Sequence, residues 1–387
     1  MSSLIPTFSH FDLELVKPSF DSDLATYVVG LEQLRHAPVT SSTPLQIFDQ
    51  IKRLFHLAES VGSARIEGNR TTMTDYVQTK LEGDPVAQIV ESMREIENIE
   101  EALIYLENHL RPGEPITHKL VRELHAIVVR SLEREGDTNP GSYRKNNVTI
   151  SGSTHRPPEH TFVQDYMEKL LAFINDNTER KYELIKVAQA HHRFAWIHPF
   201  ANGNGRVVRL LTYAMLIHYG FDVASKGRIL NPTAIFCVNR DQYYTMLSAA
   251  DQGDSAGLVA WCEYVLQGLQ IELTNINKLA NYEYLKQHII LPALQKAMHQ
   301  GVIDEIQYKI LVSGVKHSAI KREALLKEIP ALNPHQMTYQ LTKLQEQKII
   351  SPVREGARIY IPNLSISPIT RWIIQALQEK GFLDRNA

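Results

Sequence analysis

Apolar residues recur at three- and four-residue spacing along most of the chain, with polar residues between them. That period lays one apolar stripe along a helix. It predicts helices over 47–61, 89–110, 120–132, 162–174, 184–196, 207–219 and 243–269. Proline and glycine separate them, at Pro112-Gly113, Pro140-Gly141 and Pro157-Pro158. Before residue 300 the best two-residue alternation is at 147–151, Asn-Val-Thr-Ile-Ser, followed by Gly152 and Ser153. This reads as a β-hairpin. With no sheet to join, its edge would offer unpaired backbone groups to a partner. Residues 275–300 read as a connecting helix. Shorter patterns follow: helices at 306–311, 321–329 and 334–347, then strands at 349–353 and 358–361 around Arg354-Glu355-Gly356-Ala357. Three short helices and a hairpin with a basic, glycine-containing tip form a winged-helix pattern. The expected fold class is mainly α, with one β-hairpin flap and a C-terminal winged-helix domain.

Composition narrows the class. A chain of 387 residues suggests two or three domains. Its 43% hydrophobic and 22% charged residues exclude wholesale disorder and fibrous repeats. No apolar run approaches the ~20 residues of a membrane helix. The N-terminus lacks a basic region followed by an apolar one, so no membrane or secretory role is expected. Two cysteines, Cys237 and Cys262, cannot build a disulfide scaffold. They read as small buried hydrophobes in a reducing cytoplasm. No Cys/His cluster has structural-zinc spacing. The formal net charge of −2 does not call for nucleic acid. Residues 301–387, however, carry 12 Lys+Arg against 8 Asp+Glu.

The candidate chemistry lies at 198–209, His-Pro-Phe-Ala-Asn-Gly-Asn-Gly-Arg-Val-Val-Arg, which follows one predicted helix and opens the next. Gly203 and Gly205 allow unusual backbone conformations and close ligand approach. Successive N–H groups at a helix N-terminus form an anion nest. Arg206 and Arg209 are three residues apart, on one helix face. Two guanidiniums beside such a nest suit a polyphosphate better than a carboxylate. His198 can serve as a base near neutral pH. Together these argue for transfer from a nucleotide, without the Lys-Ser/Thr of a P-loop.

This segment resembles the signature of the Fic family, H-x-F-x-(D/E)-G-N-G-R-x-x-R, in seven fixed letters: His198, Phe200, Gly203, Asn204, Gly205, Arg206 and Arg209. At ~5% usage per residue type, chance gives such a match about once in a billion start positions. Gly141-Ser-Tyr-Arg144 followed by Val148–Gly152 and Pro157-Pro158 resembles the family's flap over the site. Tyr243-Tyr244 and Asp251-Gln-Gly-Asp254 resemble its nucleoside-side helix. Ser63-Ala-Arg-Ile-Glu67-Gly68-Asn69 is similar to the family's inhibitory motif. The implied organisation is an N-terminal helical region over 1–110, a Fic core over 111–274, a connecting helix over 275–300 and a winged helix over 301–387.

The resemblance implies transfer of AMP from ATP to a Ser, Thr or Tyr hydroxyl of a target protein, itself included, with release of pyrophosphate. His198 would be the base. Gly203, Asn204 and Gly205 would hold phosphates, Arg206 would neutralise the leaving pyrophosphate, and Arg209 would bind the γ-phosphate or pair with Glu67. Ile150, Ser151 and Gly152 would lie near the nucleotide, among the ATP-binding residues, and align the target by strand addition, and Tyr243 and Tyr244 would lie near the nucleoside. Mg²⁺ or Mn²⁺ is the implied cofactor, and a homodimer the implied assembly. Asn202 stands where the family usually has an acidic metal ligand. An amide supplies oxygen without charge, which weakens the case for metal there. Asp251 stands where related sequences often carry Asn.

Two alternatives use the same residues: a de-adenylylase with Glu67 activating water, and a DNA-binding regulator whose core senses nucleotide. For the latter, His335, Gln336, Thr338, Tyr339, Gln340 and Lys343 would face DNA from the third short helix, with Arg354 and Arg358 at the wing. Glu67 carries a signal independent of any family. It precedes Gly68-Asn69, a helix stop, and an acid in a last turn opposes the helix dipole unless a cation meets it.

Overall fold

A computed structural model describes residues 8–36, 41–83, 90–177, 179–221 and 234–384. In chain order the helices begin with α1 (Asp23–His36), α2 (Leu45–Ile66), α3 (Met73–Glu82), α4 (Glu91–His109), α5 (His118–Val128) and α6 (Val163–Asn175). There follow α7 (Glu183–Ile197), α8 (Asn204–His218), α9 (Ala234–Val238), α10 (Arg240–Ala250) and α11 (Ser255–Asn277). The last are α12 (Tyr282–Leu285), α13 (Leu291–His299), α14 (Glu305–His317), α15 (Arg322–Glu328), α16 (Pro334–Glu346) and α17 (Thr370–Glu379). Strand β1 (Ile320–Lys321) precedes α15, while β2 (Ile350–Pro352) and β3 (Ile359–Pro362) follow α16. The protein is mainly α.

The chain divides into two compact units. The first gathers Met1–Pro38, Glu59–Arg70 and Ile89–Thr274. Its centre is the pair α7 and α8, in which nearly every side chain is buried. A helix covered on all sides is core, and its polar residues then need partners. Gln189 finds two in the chain N-terminal to α1: its Nε2 donates to Glu14 O at 2.7 Å and its Oε1 accepts from Val16 N–H at 3.0 Å. Trp261 of α11 donates its indole N–H to Ala188 O at 2.7 Å.

The single helix expected over 243–269 is two. Asp251-Gln-Gly-Asp254 breaks it, with Gly253 at φ 72°, and α11 starts at Ser255. The expected flap hairpin also differs. Residues 147–150 carry no regular assignment and lead into a turn at Ser151-Gly152, where Gly152 has φ 74° and Ser153 N–H bonds Ile150 O at 3.2 Å. Pro157 and Pro158 on the return arm have no N–H to donate, so a ladder cannot extend.

The second unit comprises Val39–Ala58, Thr71–Gln88 and Asn275–Ala387. Its sheet is antiparallel, in the order β1-β3-β2, with Ile320 opposite Tyr360 and Ser351 opposite Ile361. Helix α16 begins in a capping box, Asn333 Oδ1 accepting from Gln336 N–H at 2.9 Å, with Pro334 in the first turn. Its apolar stripe, Met337, Leu341 and Leu344, is buried, and His335, Gln336, Thr338 and Tyr339 are exposed.

Candidate active site

The end of α7 and the start of α8 enclose a tight loop. His198 caps α7 in the left-handed region, φ 50°, its N–H bonding Phe194 O at 3.0 Å. Gly203 opens α8 with φ 76°, and a Cβ there would lie 2.9 Å from Val129 Cγ1. Between them Phe200 is fully buried, its ring stacked on His125 with centroids 3.8 Å apart. Asn204 closes the loop on itself: Oδ1 accepts from Phe200 N–H and Nδ2 donates to Phe200 O, both at 2.9 Å. Its amide is thus committed to the loop. Toward a phosphate it can offer only its backbone N–H.

His125 braces the same loop. Its Nδ1 accepts from Gly141 N–H at 2.9 Å, which leaves Nε2 to carry the proton and donate to Asn202 O at 3.2 Å. Burial lowers this imidazole to about 4, so it is neutral at physiological pH. His198, half-buried, is also lowered to about 4, mainly by burial and further by the charges of Arg144 and His155. The Ala195 backbone and the Glu67 charge act in the opposite direction. A neutral imidazole is ready to accept a proton.

Both arms of the flap are moored at this helix end. Buried Arg144 donates Nε to His198 O at 2.9 Å, Nη2 to Pro158 O at 2.6 Å and Nη1 to Asn146 O at 3.1 Å. His155 bonds Trp196 O through Nε2 at 2.9 Å and stacks on the Trp196 ring. Between the moorings Ser151 and Gly152 are exposed and Ile150 is half-buried.

The two motif arginines are buried, and each meets a carboxylate. Arg209 donates Nη2 to Glu67 Oε1 at 2.7 Å, Nε to Ser63 Oγ at 2.8 Å and Nη2 to Ser63 O at 2.9 Å. Burial raises the Glu67 carboxyl, but Arg209, Arg206 and His198 together outweigh it and hold it below its ordinary value. Glu67 also rests on the nest: a Cβ on Gly205 would lie 2.0 Å from its Oε1. Arg206 has Nη1 3.2 Å from Glu95 Oε1 of α4, and its Nη2 donates to Glu135 O at 2.7 Å. Tyr243 is buried, its hydroxyl 2.9 Å from His191 Nε2, whereas Tyr244 is exposed.

Asn202 does not have the surroundings of a metal ligand. Its Oδ1 accepts from Gly203 N–H at 2.7 Å, and its Nδ2 donates to Gly136 O at 3.2 Å and, more weakly, to Arg134 O at 3.4 Å. The side chain is a strut between two loops. Among the described residues no group of three or more His, Cys, Asp or Glu could hold a metal ion. At Asn202 itself the engaged amide does not offer the free anionic oxygen that Mg²⁺ or Mn²⁺ prefers. Cys237 and Cys262 form no disulfide. No described helix is long and apolar enough to cross a membrane.

Residues His198, Gly203, Gly205, Arg206, Arg209 and Glu67 are thus brought together. Sequence reasoning missed the bracing by His125, Arg144, His155 and Glu95. Only Arg144 sat in a quoted pattern, and the others carry no local signal.

Residues 115–216 match the Fic/DOC family. The protein adenylyltransferase Fic of Drosophila mojavensis is 30% identical over 204 residues, 51% of this chain and 37% of that protein. That of Drosophila melanogaster is 29% identical over 204 residues, with 51% and 37% covered. The chain thus spans well under half the length of these relatives. Among solved structures, a Fic family protein of Desulfovibrio desulfuricans G20 superposes with a TM-score of 0.54 at 17% identity, covering 90% of this chain and 98% of that one. Fic-1 of C. elegans gives 0.53 at 20% identity, covering 65% and 71%. At these identities the likeness is one of fold. What the comparisons give is thus a match of residues 115–216 to the Fic/DOC family and a likeness of fold to solved Fic proteins.

Proposed function

We propose that this site transfers AMP from ATP to a Ser, Thr or Tyr hydroxyl of a target protein, and that Glu67 restrains it. The observation that carries the reading is a neutral imidazole at His198 beside a helix N-terminus with two buried arginines. His198 takes the hydroxyl proton as the oxygen attacks the α-phosphorus. The bond from that phosphorus to the bridging oxygen breaks, and the electron pair leaves with pyrophosphate. Backbone N–H groups of 203–205 and the Arg206 guanidinium stabilise the charge that develops. The exposed backbone at 150–152 presents the target segment by strand addition, and Tyr243 and Tyr244 lie toward the nucleoside. Glu67 opposes this by holding Arg209 and covering Gly205, so the γ-phosphate and the carboxylate compete for one guanidinium.

Intact mass of the protein, with a Ser/Thr/Tyr-bearing target, after incubation with ATP tests the reading. Gain of one AMP by either is expected, and none with His198→Ala, which should still bind ATP through backbone and arginine. An equally modified His198→Ala variant overturns the role of the base. AMP release from a modified protein, lost in Glu67→Gly, would identify the reverse reaction instead.

A second reading concerns 301–387, and it rests on α16. Its outward residues include no acid before Glu346, and the segment between β2 and β3 exposes Arg354 and Arg358. With the local excess of basic residues, this supports a winged-helix module that contacts duplex DNA.

A further inference from the structure

The two arginines of α8 are held by carboxylates from different helices, and one amide joins those carboxylates. Glu95, 3% exposed, has Oε1 3.2 Å from Arg206 Nη1. Its Oε2 accepts from Asn69 Nδ2 at 2.9 Å, and the same amide donates to Ser92 O at 2.8 Å. Asn69 is two residues beyond Glu67, across Gly68 at φ 106°. Within the turn it ends, short-range backbone bonds run from Glu67 N–H to Ala64 O at 3.1 Å, Gly68 N–H to Arg65 O at 2.9 Å, and Asn69 N–H to Ala64 O at 3.1 Å. A carboxylate just past the last turn of a helix would fray with that turn unless the turn were fixed. The bonds from Asn69 to α4 fix it.

We propose that Asn69 and Glu95 are positioning residues for the Glu67–Arg209 contact: Asn69 moors the turn that carries Glu67 to α4, on the same carboxylate that seats Arg206. This rests on the restraint by Glu67 proposed above. A bond to a charged partner is worth enough to shift a latch on the order of ten- to hundredfold. The Asn69 amide touches neither the nest nor His198, so its loss acts first on the restraint. Because Glu95 also faces Arg206, phosphate arriving at Arg206 competes with the same carboxylate that holds the mooring. Nucleotide binding and release of Glu67 are thereby coupled through one side chain.

The test uses the full chain with Asn69→Ala, and Asn69→Asp, which sets a second carboxylate against Glu95. Hydrogen exchange at the amides of 67–69 reads the mooring directly. Label incorporation from ATP reads its effect on the restraint. Faster exchange in both variants is expected, with transfer raised by about tenfold or more, and Glu67→Gly/Asn69→Ala no faster than Glu67→Gly. Unchanged exchange in folded variants overturns the mooring whatever the activity does. Faster exchange with wild-type transfer, alongside a fast Glu67→Gly, overturns its link to the restraint. A slow Glu67→Gly instead removes the reading on which the link rests, while exchange still decides the mooring.

Discussion

His198 and Asn202 lie four residues apart, and their surroundings make opposite demands on pH and charge. Burial lowers the folded His198 imidazole from its ordinary value to about 4. The neutral base is therefore fully present above about pH 5 and lost as pH falls through about 4. A pH–rate profile of AMP transfer should be flat on its acid side down to about 5, where a solvated histidine would already fail below about 6.5. Asn202 responds to charge differently. The family signature usually has an acid here, yet the Asn202 amide donates to the Gly136 and Arg134 carbonyls. Asn202→Asp replaces that donor with lone pairs facing two oxygens. A loss of about 1 kcal/mol in denaturant unfolding is expected. An equally stable variant that binds Mg²⁺ more tightly by calorimetry would overturn the strut.

At the level of elements, the start of α8 is where the restraint and the substrate meet. A Cβ on Gly205 would lie 2.0 Å from Glu67 Oε1 and 2.9 Å from its Cδ. Gly205→Ala must displace Glu67, because helical backbone accepts alanine and the carboxylate is the movable part. Arg209 should then lose Glu67 as its partner, while the same methyl narrows the nest, so ATP affinity by calorimetry should stay below that of Glu67→Gly. A Gly205→Ala variant that binds ATP as tightly as Glu67→Gly would show that phosphate does not use this nest. The elements around this point were legible in unequal measure. The 3.6-residue period placed α7 and α8 because their apolar residues recur regularly, and Gly203 and Gly205 marked the junction. The break between α10 and α11 was obscured by apolar residues on both sides of Asp251–Asp254. Pro157 and Pro158 spoke against the flap ladder, while Val148 and Ile150 spoke for it. The bracing of the site was not legible at all. Arg144 meets carbonyls 54 residues away, His125 meets Asn202 77 residues away and Asn69 meets Glu95 26 residues away. No local pattern encodes such pairs, because tertiary packing selects them.

Across the whole molecule charge is uneven, and that gives the DNA reading a sharp test. Residues 301–387 hold an excess of 4 basic residues in a chain of net charge −2. Binding to duplex DNA, measured by fluorescence anisotropy, should weaken steeply with salt, and Arg354→Glu/Arg358→Glu should flatten that slope by about two phosphate contacts. Salt-independent binding, or none, removes the reading. The Glu67–Arg209 pair has its own reach beyond the site. A guanidinium 2% exposed needs a counter-charge in the folded state, and in the resting protein Glu67 supplies it. Take Glu67 away and a bound phosphate can fill that role. By mass action, nucleotide at a hundred times its Kd contributes about 2.7 kcal/mol to folding. The melting temperature of Glu67→Gly should therefore rise more steeply with nucleotide concentration than that of the wild type, so that relief of the restraint is also readable as heat resistance supplied by the substrate.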